Sequence, residues 1–205
     1  EDAEMRAEMN SERTATVERN TKETQIRVCV NLDGTGKSDV NTGLGFLDHM
    51  LDQLTFHGLL DLEVRCKGDL HIDGHHSTED IALALGQAIR EALGDKQGIQ
   101  RFGHAYVPMD EALLRCVIDL SGRPEFVFQG EFTQPAIGEW DTQLIPHFFK
   151  SFALTSASTL HLAILYGSND HHQCEGLFKA LARALRQAVE RDPRRQTVTS
   201  TKGTL

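Results

Sequence analysis

Apolar residues recur along this chain with two periods, and the order of those periods is written twice. Gln25–Leu32 alternates apolar and polar positions, is rich in β-branched residues, and stops at the turn Asp33-Gly34-Thr35-Gly36. A helix is predicted over Phe46–Phe56, with Phe46, Met50, Leu51 and Leu54 on one face. Leu60–Cys66 reads as a strand, and residues 77–93 stripe Ile81, Leu85, Ala88, Ile89 and Ala92 along a second helix. The order then returns. Ala112–Leu120 and Glu125–Phe132 read as strands, Pro146–Ser156 as a helix carrying Phe148, Phe149, Phe152 and Ala153, and Leu160–Tyr166 as a strand. A last helix over 173–190 carries Leu177, Leu181, Ala184, Leu185 and Ala188. Pro146 suits the first turn of its helix, where no N–H is needed. The stripes are core positions.

The repetition extends to residue identity. Glu23–Gly34 lies over Glu111–Gly122, His49-Met50-Leu51 over His147-Phe148-Phe149, and His75-His76-Ser77-Thr78-Glu79 over His171-His172-Gln173-Cys174-Glu175. The second copy carries an insertion, and Gly130–Asp141, with Pro135 and Gly138, reads as a loop. The expected fold is α+β: tandem duplicated half-domains, each a mostly antiparallel sheet with helices on one face. Residues 1–10 read as a variable extension, 11–96 as the first half, 97–192 as the second, and 193–205 as a tail.

Charge removes some functions. The chain has 21 Lys and Arg against 30 Asp and Glu, a net charge of −9. Nucleic-acid binding needs a basic surface that this balance does not supply, but a few local cations suffice for a small anion. No apolar run reaches the roughly 20 residues of a membrane helix, so no membrane partner is expected. Residues 1–10 are acidic and lack the basic-then-apolar pattern of a signal. Cys29, Cys66, Cys116 and Cys174 form no close pair and read as reduced structural thiols. A cytoplasmic location is expected, or a plastid one if the source is a plant.

Ten histidines include two doublets, each followed by a glutamate. In a helix, positions i and i+4 share a face, so His75 with Glu79, and His171 with Glu175, can each grip one ion. Adjacent residues diverge by about 100°, so His76 and His172 point elsewhere and can serve a second ion. His49 and His147 are available to both. Mixed nitrogen and oxygen ligation without thiolate suits Mn²⁺, Fe²⁺ or Zn²⁺, and six-coordination with open positions favours the first two. His57, His71, His104 and His161 have no partner in the other copy and read as structural or surface residues.

These stretches resemble the imidazoleglycerol-phosphate dehydratase family. The resemblance is carried by Gly45–Leu51, Asp73–Asp80, Arg101-Phe102-Gly103, Asp119–Pro124, Asn169–Lys179 and Ser200–Gly203, and it runs from about Ser11 to Leu205. It implies a ribosomal protein S5 domain 2-like fold and the dehydration of D-erythro-imidazoleglycerol phosphate to imidazole acetol phosphate in histidine biosynthesis. It also implies two Mn²⁺ ions per active site, sites shared between chains, and a homo-oligomer of twenty-four subunits. One ion is expected on His49, His76, His171 and Glu175, the other on His75, Glu79, His147 and His172. Glu23 is the implied acid/base. Implied substrate contacts are Glu23, the run His49, Met50, Leu51, Asp52, Gln53, Leu54, Thr55, Phe56 and His57, the cations Arg101, Arg123, Lys179 and Lys202, and Thr201 and Gly203.

The chemistry explains the donor set. The proton to be removed has no carbonyl beside it, whereas the leaving hydroxyl is on the carbon attached to the imidazole. An electron-rich ring can expel that hydroxyl through a diazafulvene-like intermediate. Two ions on the two ring nitrogens favour the imidazolate that does this best. Two rival readings are a dimetal hydrolase, which needs a bridging carboxylate, and a metal-assembled cage without catalysis.

Overall fold

The computed structural model describes residues 12–205, and the expected extension over residues 1–10 lies outside them. The first half runs β1 (Thr14–Asn20), β2 (Thr24–Asn31), β3 (Ser38–Asn41), α1 (Gly45–Gly58), β4 (Asp61–Gly68) and α2 (His75–Leu93). The second runs β5 (Phe102–Met109), β6 (Ala112–Asp119), β7 (Glu125–Gln129), the short β8 (Ala136–Ile137) and β9 (Trp140–Asp141), then α3 (Leu144–Ser156), β10 (Thr159–Tyr166) and α4 (Asp170–Val189). Each half contains a four-stranded sheet of matching order, β1-β2-β4-β3 and β5-β6-β10-β7. The pairs are antiparallel except β3 with β4 and β7 with β10, which are parallel. This is the α+β class that the patterning indicates.

Alternation sets the faces. Ile26, Val28 and Val30 of β2, and Leu114, Cys116 and Ile118 of β6, point into the core while their neighbours face outward. The helix stripes meet them: Ile81, Leu85, Ala88 and Ile89 of α2 and Leu177, Leu181, Ala184 and Leu185 of α4 are buried. Each such large side chain contributes about 1.5–3 kcal/mol on burial.

The helices pack across the halves, α1 against α4 and α2 against α3. Gly86 makes the second pairing possible, because a Cβ there would meet the Phe152 carbonyl at 2.5 Å. Phe148 and Phe149 of α3 pack in tilted contacts around Phe178 of α4, with ring centroids 5.3 and 4.6 Å away.

Two expectations are corrected. Gly130–Asp141 is not wholly a loop, because β8 and β9 form a small hairpin that buries Trp140. The Trp140 indole donates to Thr78 Oγ1 at 2.9 Å, so an apolar anchor with a satisfied N–H orders the insertion. The strand expected over Glu125–Phe132 stops at Gln129, since Gly130 has φ 148° and its backbone lies against Ile164. β1, β3 and β5 complete the three strands that open each half.

Candidate metal centre

Helix pairing across the halves brings the histidines together. His49 on α1 faces the first turns of α4: its Nε2 is 3.2 Å from Glu175 Oε2, and His171 Nε2 is 2.9 Å from the same oxygen. The other helix pair repeats this. His147 Nε2 on α3 lies 2.5 Å from Glu79 Oε2, and His75 Nε2 lies 3.8 Å from it. Within each group one ligand atom per residue lies within 4.8 Å of the others. Helix spacing left open where His49 and His147 would go. Each joins the doublet of the opposite half.

His76 and His172 belong to neither group. His76 Nδ1 lies 2.8 Å from Asp69 Oδ2, and His172 Nδ1 lies 2.8 Å from Glu111 Oε2. The hydrogen bond to Asp69 raises the His76 ring above its ordinary value, against the opposing effect of burial. Glu111 is held at about 2 by the bond from His172 and the Asn169 backbone N–H. Burial pushes the Glu175 carboxyl up, but hydrogen bonds from Lys179 and His171 outweigh it and keep the group below its ordinary value. Lys179 Nζ takes Glu175 Oε1 at 2.8 Å, leaving Oε2 to the two imidazoles.

The donor set fits a divalent ion. Each group offers two imidazole nitrogens and one carboxylate oxygen, and neither includes a cysteine. Cys116 and Cys174 are buried in the core, with thiols raised by burial. Glu79 and Glu175 sit in separate groups, so neither bridges two ions as a dimetal hydrolase requires.

The other expected residues divide. Glu23 is exposed in the β1–β2 turn, 3.6 Å from His76 Nδ1, with its N–H donated to Thr21 Oγ1. In the run 49–57, the side chains of Met50, Leu51, Leu54 and Thr55 have no exposed surface. They are corrected from substrate contacts to core positions, because the stripe that makes α1 amphipathic turns them inward. Asp52 accepts from Ser38, Phe56 is exposed, and Gln53 and His57 are half-buried. Burial, then Lys179 and Arg183, lower the His57 ring.

Arg101 spends its fork on Asp119, with contacts of 2.7 and 3.1 Å, and donates to the Thr199 carbonyl at 2.7 Å. It thereby holds the tail, and Thr201, Lys202 and Gly203 lie exposed beyond that anchor. Arg123 is exposed beside Pro124, which lines a cleft of about 350 Å³ with Glu79, His147 and Lys150. Arg101 and Glu111 lie at opposite ends of β6, about 25 Å apart at the rise of a strand.

No periodic pattern marks Asp69. The available signal was the unequal connection before each doublet: residues 69–74 in the first half, residues 167–169 in the second.

Fold and site together define a duplicated α+β protein with two candidate histidine-rich metal groups, one at each helix pairing across its halves. The chain belongs to the imidazoleglycerol-phosphate dehydratase family, whose sequence model it matches over residues 42–185. It is 57% identical over 194 residues to the imidazoleglycerol-phosphate dehydratase of Hydrogenovibrio crunogenus, covering 94% of this chain and 100% of that one. It is 59% identical to the Neisseria gonorrhoeae protein of that name over 94% of this chain, but spans only 64% of that relative's length. The crystal structure of the Staphylococcus aureus dehydratase superposes with a TM-score of 0.80 at 37% identity, covering 87% of this chain and 99% of that one. The Pyrococcus furiosus structure, in complex with (S)-C348, gives 0.79 at 35% identity over 92% and 100%.

Proposed function

We propose that this chain dehydrates D-erythro-imidazoleglycerol phosphate to imidazole acetol phosphate and water, a carbon–oxygen lyase step of histidine biosynthesis in the cytoplasm. The observation that carries this reading is the pair of His/His/Glu groups in a chain of the dehydratase family. His49, His171 and Glu175 hold one Mn²⁺, completed by His76 of another copy. His75, Glu79 and His147 hold the second, completed by His172 of another copy. When bound, the two ions supply Lewis acidity that favours the deprotonated substrate imidazole. Glu23 moves the proton at the glycerol carbon, for which its exposed carboxylate beside His76 is suited. Lys179 keeps Glu175 ionised and turned toward its histidines. Arg123, Lys202 and Thr201 take the substrate phosphate, and Arg101 orders the tail that carries the last two.

The separation along β6 supports sites shared between copies. One chain's tail and its own His171–Glu175 end of α4 belong to different pockets, so a homo-oligomer, with twenty-four subunits as the expected number, is part of the function. Metal binding then contributes assembly energy. Light scattering should show metal-free protein as a smaller particle, a trimer, that regrows when Mn²⁺ is restored; a full-sized particle after verified removal of both ions contradicts this. The activity itself is tested by following imidazole acetol phosphate from imidazoleglycerol phosphate. Release of inorganic phosphate instead, or no product with both ions present, overturns the reading.

A further inference from the structure

We infer that Asp69 is a positioning residue that orients His76 for metal binding and, in doing so, leaves Glu23 free to transfer a proton. The inference rests on the proposed roles of His76 and Glu23, and the difference between the two halves carries it. Glu23 and Glu111 are repeat equivalents, as are His76 and His172. In the second half Glu111 holds the histidine directly. Its Oε2 takes His172 Nδ1 at 2.8 Å, and its Oε1 accepts the N–H groups of Ser168 and Asn169 at 3.2 and 2.8 Å. Glu111 is therefore fully engaged. In the first half Glu23 stands back at 3.6 Å from His76 Nδ1, and Asp69 Oδ2 takes that nitrogen at 2.8 Å.

The longer connection over residues 69–74 makes room for this carboxylate. In the second half residues 167–169, Gly-Ser-Asn, offer none. Asp69 is mostly shielded, with a side chain 15% exposed, and among the described residues its buried Oδ1 has no hydrogen-bond partner. An imidazole that donates Nδ1–H to a carboxylate has its Nε2 lone pair fixed outward, the arrangement by which histidines are oriented toward ions. Without Asp69, the nearest acceptor for that proton is Glu23, and the acid/base would be drawn into the structural duty that Glu111 performs.

The experiment compares Asp69→Ala, Asp69→Asn and wild type as full-length chains. Nitrogen NMR of metal-free protein, at a pH high enough for the ring to be neutral, reads the His76 tautomer. Wild type should carry its proton on Nδ1, Asp69→Ala should lose that preference, and Asp69→Asn, which keeps a carbonyl acceptor, should regain much of it. In the Mn²⁺-loaded protein, chelator competition should show one ion per chain held about 10–100-fold more weakly in Asp69→Ala, with partial rescue by Asp69→Asn. An unchanged tautomer together with unchanged ion retention in Asp69→Ala overturns the inference. If Asp69→Ala does not fold, Asp69→Asn decides alone: chelation several-fold faster than wild type supports the role, and wild-type retention overturns it. Because the tautomer is read without metal or substrate, it stands or falls apart from the proposed dehydration. Failure of wild type to bind ions or form product would count against that reading instead.

Discussion

The two halves build nearly the same ion-binding group but support it differently. In the first, the turn before β2 is tied to α2 by a polar chain. Asp80 is buried, accepts from Thr24 Oγ1 at 2.6 Å and pairs with Arg19 at 3.0 Å, while Thr21 Oγ1 accepts the Thr24 N–H. In the second, the equivalent positions are Gly176, Ala112 and Val107, and Gly176 packs directly on Leu114. Apolar contact holds that corner. The repeat thus keeps the His/Glu spacing, which is set by helix geometry. The acidic turns differ: one half pins its turn against α2 through Asp80, and the other uses Glu111 as a structural clamp on His172 and the Ser168 and Asn169 N–H groups.

This contrast can be tested by treating the halves alike. His147→Ala should have the largest effect. It strips one group of a ligand, so elemental analysis should find one ion lost per chain and turnover reduced on the order of 10³-fold or more, the scale of a lost Lewis acid. His49→Ala should do the same to the other group; full activity in either variant would show that its group is not needed. Glu23→Gln should keep both ions and lose turnover by at least ~10²-fold. Glu111→Gln should keep the chemical step and weaken ion retention, and equal loss of turnover in the two variants would erase the proposed division of labour.

Smaller effects probe the supports. Thr24→Val removes the hydrogen bond to buried Asp80 and should destabilise the fold by about 1.5–3 kcal/mol, the worth of a hydrogen bond to a charged group. A change below a few tenths in chemical denaturation would mean that the polar chain is idle. The smallest effect is pH-dependent. Glu111 is held at about 2 in the fold against an ordinary 4.5. Its contribution is therefore complete above 4.5 and is lost as pH falls through about 2. The thermal midpoint of Glu111→Gln should trail wild type near neutral pH and converge on it near pH 2; a constant gap contradicts this.

Much of this was legible in the sequence because it depends on period. Alternation marked β2 and β6, the stripes marked all four helices, and the i,i+4 spacing of His75 with Glu79 and His171 with Glu175 placed each pair on one face. What depends on tertiary pairing was not legible in the period, and only the family resemblance put His49 with Glu175 and His147 with Glu79. Nothing local assigns His49 to Glu175 or His147 to Glu79, because those contacts follow from helices crossing between halves. Trp140 sits among Gly and Pro residues, and its burial against Thr78 is a long-range event. Lys179 and Arg101 look like free cations in sequence, yet Glu175 and Asp119 hold them. Asp69 lies beyond the end of β4, where no periodic signal reaches.

In the proposed function each interface between the halves is an ion site, and both are needed. The most direct measurement is metal content and turnover of imidazoleglycerol phosphate on the same preparation of intact chain. Fully active protein should carry close to two Mn²⁺ per chain, with turnover abolished by strong chelation and restored by Mn²⁺. Full activity with one ion or fewer per chain would contradict it.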